Sequence, residues 1–501
     1  MGNSVPFIQP YTLMKFIKKV LDRLFSTSAA GLYMLLFAAA IGVATFIEND
    51  FGTSSAQKVI FKARWFELLL ILFGISLIVN IVRFRMVQQK KWAVLTFHAS
   101  IIIILIGAGV TRYFGSEGMM GIREGSASSH FLSSEMYLQF QVLNGEKKYS
   151  FDEPVLFASL GENNFEESYL IGNQEIKVSL DQFIPNPQEV MQESENGIPT
   201  LKVVIGAANG REEFLVRYGD KVNIYGTLFN FGNPEDPSAF NIKYEDEGVS
   251  FLTSRPFVQM VMATQTRDTL APGTYHPLLL RSLYSDGEHS FVFGDFSTNA
   301  TANLVSSDQK MTSTSLGGLK LKIAVNGQEK SVFVAGKQGV EGRPAVLDWG
   351  QTKVAVAYGA RKVELPFAIK LRDFILERYP GTENASSYAS EVTLIDERKN
   401  LRENQRIYMN NILNYGGYRF FQSSFDQDEL GTYLSVNHDA PGTLISYIGY
   451  FLLTLGMILT LFDRSSRFQQ VAKNIANIRQ RANSNLILLL LLCTGLTNTV
   501  K

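Results

Sequence analysis

Cysteine is almost absent: Cys493 is the single one in 501 residues. One chain therefore forms no disulfide framework, no CxxC redox pair and no cysteine-based zinc site, and any part outside a membrane folds on its core alone. Cys493 sits in an apolar run and reads as a small buried apolar residue. Excess charge is missing too. The formal net charge is +0, so no basic field points to nucleic acid as a partner. Charged residues make up 19% against 46% apolar, a balance too apolar for disorder that leans toward a membrane. Catalytic signatures are also lacking: there is no GxSxG, HExxH, P-loop or EF-hand loop. A hydrolase finds no nucleophile–base arrangement here, and the acidic Asp426-Gln-Asp-Glu429 reads as a solvated turn.

Long apolar runs are present. Four segments read as transmembrane helices: Ser28–Ile47, Phe66–Val82, Trp92–Val110 and Leu444–Phe462. Each is close to the ~20 apolar residues that cross a bilayer core. Trp65, Trp92, Tyr113 and Tyr450 lie near their ends, where amphipathic rings favour the interface. Lys15, Lys18, Lys19 and Arg23 precede the first span. Arg83, Arg85, Lys90 and Lys91 join the second to the third, and Arg464, Arg467, Lys473, Arg479 and Arg481 follow the fourth. By the positive-inside rule all three basic stretches are cytoplasmic.

The expected organisation follows. Residues 1–27 form a cytoplasmic basic N-terminus, 28–110 a three-helix membrane region and 111–442 an extracytoplasmic β-rich domain. Residues 443–462 form the fourth span, 463–484 a cytoplasmic basic segment, and 485–501 the start of what reads as a fifth span. That last run, Leu486–Leu496, stops short at Lys501, which suggests a split or truncated protein; a hydrophobic tail is the plainer alternative.

Strand signals dominate the external region. Met136–Val142 and Lys147–Phe151 flank Asn144-Gly145, and Leu319–Val325 and Lys330–Val334 flank Asn326-Gly327. Leu201–Ile205 and Glu213–Val216 flank a loop with Asn209-Gly210. Asn-Gly between alternating apolar residues predicts hairpins. Two short helices are predicted, over Lys370–Arg378 and Asn400–Leu413. Ile176-Lys-Val-Ser-Leu-Asp-Gln-Phe183 resembles Ile369-Lys-Leu-Arg-Asp-Phe374, a self-match that points to two β-sandwich-like lobes. Ser/Thr-rich Ser297–Ser315 would be the linker or an exposed loop between them.

Histidine carries the remaining chemistry. His130, His276, His289 and His438 are external and scattered, without ligand spacing, and read as loop or surface residues. His438 sits just above the fourth span, within reach of a partner at the membrane surface. His98 differs, because it lies inside the third span, about 9 Å along the helix from Trp92. Val94, Leu95, Ile101, Ile102 and Leu105 share its face, and no acid in that helix pairs with it. An imidazole there is costly unless it has a partner. Two readings stand side by side: an axial haem ligand, or an interhelical hydrogen bond to Asn80 or Ser76.

The sequence resembles the ResB/CcsB family of System II cytochrome c biogenesis. The resemblance rests on three closely spaced helices with Thr96-Phe-His-Ala-Ser100 in the third, then Leu365-Pro-Phe-Ala-Ile-Lys-Leu-Arg-Asp-Phe374 and Tyr379-Pro-Gly381. Tyr415-Gly-Gly-Tyr-Arg-Phe-Phe-Gln-Ser-Ser424 and Leu434-Ser-Val-Asn-His-Asp-Ala-Pro-Gly442 complete it. The resemblance implies a multi-pass protein of the bacterial cytoplasmic (inner) membrane with its large domain on the periplasmic side. It implies work with a CcsA/ResC-like membrane subunit, carrying haem b bound non-covalently and transiently and presenting it to apocytochrome c for attachment at CxxCH. An external thiol-reducing thioredoxin-like protein belongs to the same implied set. His98 matches the family's intramembrane haem histidine. The partner's tryptophan-rich motif is missing, since Trp65, Trp92 and Trp349 are isolated. The chain is thus expected to be part of a haem-attaching synthase and not a complete enzyme. The competing reading is a membrane-anchored scaffold with an external protein-binding domain and no haem.

Overall fold

The computed structural model describes residues 10–207, 210–245, 248–463 and 469–483. The expected fifth span at 485–501, Cys493, Arg464, Arg467 and Asn209 lie outside the described residues. The helices of the described residues include α1 (Pro10–Leu24), α2 (Thr27–Phe51), α3 (Thr53–Ala56), α4 (Arg64–Arg83), α5 (Trp92–Phe114) and α6 (Ala440–Phe462). α2, α4, α5 and α6 are long and apolar enough to cross a membrane, which makes this a membrane protein. They match the four spans read from the sequence, each extended by a few residues at one or both ends.

Side-chain contacts set their directions. Thr27 Oγ1 donates to Asn80 Oδ1 at one end of the α2–α4 pair. At the other end Arg112 of α5 donates to Phe61 O, just before α4. The residues preceding α2, the α4–α5 turn and the end of α6 therefore share one end of the helices. The opposite end leads into β structure: Ser116–Arg123 follows α5, and Gly431–His438 precedes α6.

The chain divides into two compact units. Unit 1 comprises 1–181, 310–315 and 319–501. Besides the helices it holds a ten-stranded sheet and most of a four-stranded one. Its β core gathers Phe131, Phe367, Leu371, Phe420 and Leu434. Ser116–Arg123 pairs antiparallel with Gly431–His438 over its full length, Ser116 facing His438. The two strands that continue from α5 and into α6 are thus neighbours, though more than 300 residues of chain separate them. Unit 2 comprises 182–309 and 316–318. A six-stranded and a five-stranded sheet enclose an aromatic core of Phe229, Phe231, Phe251, Tyr284, Phe291 and Phe293. That is a sandwich-like packing of two sheets.

The hairpins form as expected. Asn326 and Gly327 both have positive φ, at 49° and 84°, as a type I′ turn requires. At the first hairpin Asn144 already pairs with Lys147. Gly145 (φ 60°) and Glu146 are therefore the turn residues, shifted by one, with the positive φ only at the first of them.

Three expectations are corrected. Lys370–Arg378 is not a helix; it ends the strand Thr352–Arg378. A β-bulge between Leu371 and Asp373 inserts a residue into its pairing with Ala385–Asp396. The bulge turns both Leu371 and Phe374 into the core, and that spacing of three imitated a helix. Asn400–Leu413 is not a helix either: Leu401–Tyr408 pairs antiparallel with Ala389–Asp396. Ser297–Ser306 is no linker, because it continues the strand Ser290–Ser306 against Pro187–Ala207, with a register shift between Ser297 and Ala300.

Candidate functional site

α5 packs on α6 through small residues. Gly442, Gly449 and Gly456 recur every seventh residue on α6 and are all buried. A methyl at Gly449 would lie 2.6 Å from Ile104 Cγ1, and one at Gly456 would lie 2.8 Å from Phe97 N. From the other side, a methyl at Gly107 would lie 2.9 Å from Ser446 N. The two backbones approach directly, as small-residue seams allow in membranes. Phe97, Ser100, Ile104, Gly107 and Thr111 form the α5 side of the seam.

His98 lies roughly 140° around the helix from that seam, at 3.6 residues per turn. Leu105, two turns on along the same face, touches α4: a methyl at Gly74 would lie 3.4 Å from Leu105 Cδ1. The half-buried His98 ring is therefore on the α4 side of α5. Its Nδ1 lies 2.8 Å from Val94 O, one turn back. A carbonyl only accepts, so Nδ1 carries the proton. In the neutral ring Nε2 then keeps its lone pair. The alternative pairing with α4 is not formed. Asn80 Nδ2 donates to Ser76 O and Asn80 Oδ1 accepts from Thr27, and Ser76 Oγ has no partner among the described residues. A neutral imidazole with one nitrogen held by a carbonyl and the other free is the donor form that binds iron.

His438 ends its strand at the junction with α6. Its ring stacks on Tyr418 at 4.1 Å between centroids, 18° from parallel. Gly417, in the preceding hairpin turn, has φ 87°, and a methyl there would sit 3.3 Å from His438 Nε2. Only glycine suits both the turn and the close ring. The other histidines are not assembled into a site. His130 pairs in register with Glu364, His276 Nε2 lies 2.8 Å from Ala271 O, and His289 Nδ1 lies 3.6 Å from Asp286. Among the described residues no group of three or more His, Cys, Asp or Glu is placed to hold a metal ion.

Sequence reading passed over the polar cluster beside His438. Asp439 is 6% exposed, and its Oδ2 accepts from Thr111 at 2.6 Å and from Thr443 at 3.3 Å. Arg419 donates to Thr443 Oγ1 at 2.8 Å and to Asn437 Oδ1 at 3.0 Å. Asp439 Oδ1 and Arg419 Nε lack partners among the described residues. Asp439-Ala-Pro-Gly442 has the local pattern of an ordinary turn into a helix, and nothing local in the sequence marks the aspartate as buried.

Comparison with known proteins places these features. The model of the ResB-like family matches residues 88–159 and 330–437. The first stretch contains His98, and the second ends one residue before His438. Unit 2 lies between the two stretches. The chain is 30% identical over 462 residues to Protein NrfI of Wolinella succinogenes, an alignment covering 92% of this chain. The chain spans 36% of that protein's length.

Proposed function

The chain belongs to the ResB-like family, and from that premise we propose that it serves in cytochrome c biogenesis as a membrane subunit that handles haem. The cargo is haem b, held through the iron by His98 Nε2. A CcsA/ResC-like membrane subunit supplies the second axial ligand, and apocytochrome c is the client. The β-rich region faces the periplasm, and the basic ends of the spans face the cytoplasm. A thiol-reducing thioredoxin-like protein keeps the client cysteines ready.

One observation carries the reading: the hydrogen bond from His98 Nδ1 to Val94 O inside an apolar span. It holds the ring in the tautomer whose Nε2 is a ligand. The flanking Ile101, Ile102 and Leu105 are half-buried; they offer apolar surface to a macrocycle and keep water out. His98 supplies one axial position, and no second histidine lies in α2, α4, α5 or α6. That supports a ligand from a partner.

The test is the visible spectrum of the full chain co-purified with the CcsA/ResC-like subunit. A Soret band is expected, and His98→Ala should lower its intensity at least tenfold while the protein still inserts. Exogenous imidazole should restore part of it. An unchanged spectrum in His98→Ala would make His98 a packing residue and return the chain to a protein-binding scaffold.

A further inference from the structure

The N-terminal helix has no role in haem handling as proposed, and its placement raises its own question. Only Phe25 and Ser26 separate α1 from α2. Ser26 Oγ accepts from Ala29 N at 3.1 Å and caps α2. Tyr33 OH donates to Leu24 O at 3.0 Å. Asp22 pairs with Arg83, at the foot of α4, at 2.9 Å. The C-terminal end of α1 is thus fixed at the level where the spans end.

The described side chains of α1 divide by face. Ile17, Val20, Leu21 and Leu24 follow i, i+3, i+4, i+7 spacing and share an arc of roughly 100°. They are 47%, 45%, 47% and 37% exposed, so the described residues leave the stripe uncovered. Lys18, Lys19, Asp22 and Arg23 occupy the rest of the circumference. At the same end, the α4–α5 turn carries Arg85, Lys90 and Lys91. None of these six cations has an ion-pair partner among the described residues, and the one acid nearby, Asp22, is taken by Arg83.

We propose that α1 is an interfacial helix. It lays its apolar stripe into the acyl boundary of the leaflet at the foot of the spans, and its cations and those of the α4–α5 turn bind anionic phospholipid headgroups. Two features select a lipid surface. The stripe starts two residues from a membrane span, where hydrocarbon is the nearest apolar phase. Its flanks carry uncompensated positive charge, which an anionic leaflet complements.

The test uses the full chain with Cys493→Ser and a spin label at Ile17→Cys or Lys19→Cys. Each is reconstituted in nanodiscs of phosphatidylcholine, alone or with phosphatidylglycerol. The Ile17 label should be accessible to oxygen and shielded from a polar relaxant, with the reverse at Lys19. Native mass spectrometry from the mixed discs should show phosphatidylglycerol retained over phosphatidylcholine. Lys18→Gln with Lys19→Gln and Arg23→Gln should weaken that preference about fivefold per cation removed, and high salt should suppress it. Equal aqueous exposure at both labels overturns the proposal. So does shielding of the Ile17 label from both relaxants, which would mean a protein covers the stripe, or phosphatidylglycerol retention that the triple variant leaves unchanged.

Discussion

Thr111 Oγ1 donates to Asp439 Oδ2 at 2.6 Å, joining the end of α5 to the residue just before α6. Thr443 extends the link, bonding the same carboxylate oxygen while accepting from Arg419 on the strand Tyr418–Phe425. One buried carboxylate thereby ties two spans to the β-sheet. Thr111→Val removes its shortest hydrogen bond. A loss of about 1–3 kcal/mol is expected, read as a lower unfolding midpoint of the full chain in detergent. An unchanged midpoint would mean that Asp439 finds water instead.

The α5–α6 seam makes a second, sharper prediction. Gly456→Ala and Gly449→Ala force a methyl against Phe97 N and Ile104 Cγ1 and should each destabilise by about 1–3 kcal/mol. Gly31→Ala and Gly109→Ala meet nothing within 4 Å. They should be neutral or slightly stabilising, since alanine favours the helix. Equal melting curves for both pairs would dissolve the seam.

Lys58, in the short π-helix Gln57–Phe61 between α3 and α4, gives a pH dependence. Its Nζ donates to Asn163 Oδ1, and burial pulls its pKa down from 10.5 to about 8. The folded chain therefore binds this proton more weakly than the unfolded chain does. Between pH 8 and 10.5 the unfolded state holds more protons, so stability rises with pH across that window and levels off above it. Lys58 is half exposed, and solvent screening keeps the effect small. Subtracting the melting curve of Lys58→Met from that of the native sequence should leave a contribution that climbs over this window. A flat difference would place the amine in water.

Among the histidines, the haem reading separates His98 from the rest. His130→Ala, His276→Ala and His289→Ala should leave haem content within about twofold, because His130 sits in a strand pair and His276 and His289 contact residues of their own turns. His438→Ala removes the stack on Tyr418 and should lower the unfolding midpoint, at a cost of about 0.5–1.5 kcal/mol, without changing the spectrum. A spectral change in His438→Ala would make it a ligand as well.

Sidedness is open to direct measurement. A reporter fused at Arg85 should read cytoplasm, and one at Gly232 should read periplasm. Cytoplasmic activity of the Gly232 fusion would refute the orientation.

The sequence alone determined what depends on neighbours along the chain. The four spans were legible because length and apolarity suffice to cross a bilayer, whatever they pack against. Asn326-Gly327 was legible because a type I′ turn needs two positive φ angles in succession. His98 stood out because an imidazole in an apolar helix has no local partner. Tertiary structure decided what depends on distant residues. Leu371 and Phe374 imitated a helix until the strand Ala385–Asp396 imposed a bulge between them. Ser297–Ser306 looked like a linker until Pro187–Ala207 paired with it. Asp439 became a buried anchor only because Thr111, 328 residues away, reaches it. The face of α5 that carries His98 was fixed by where glycines let α6 approach. Pairing partners and burial are set by long-range contacts, and no local window of sequence contains them.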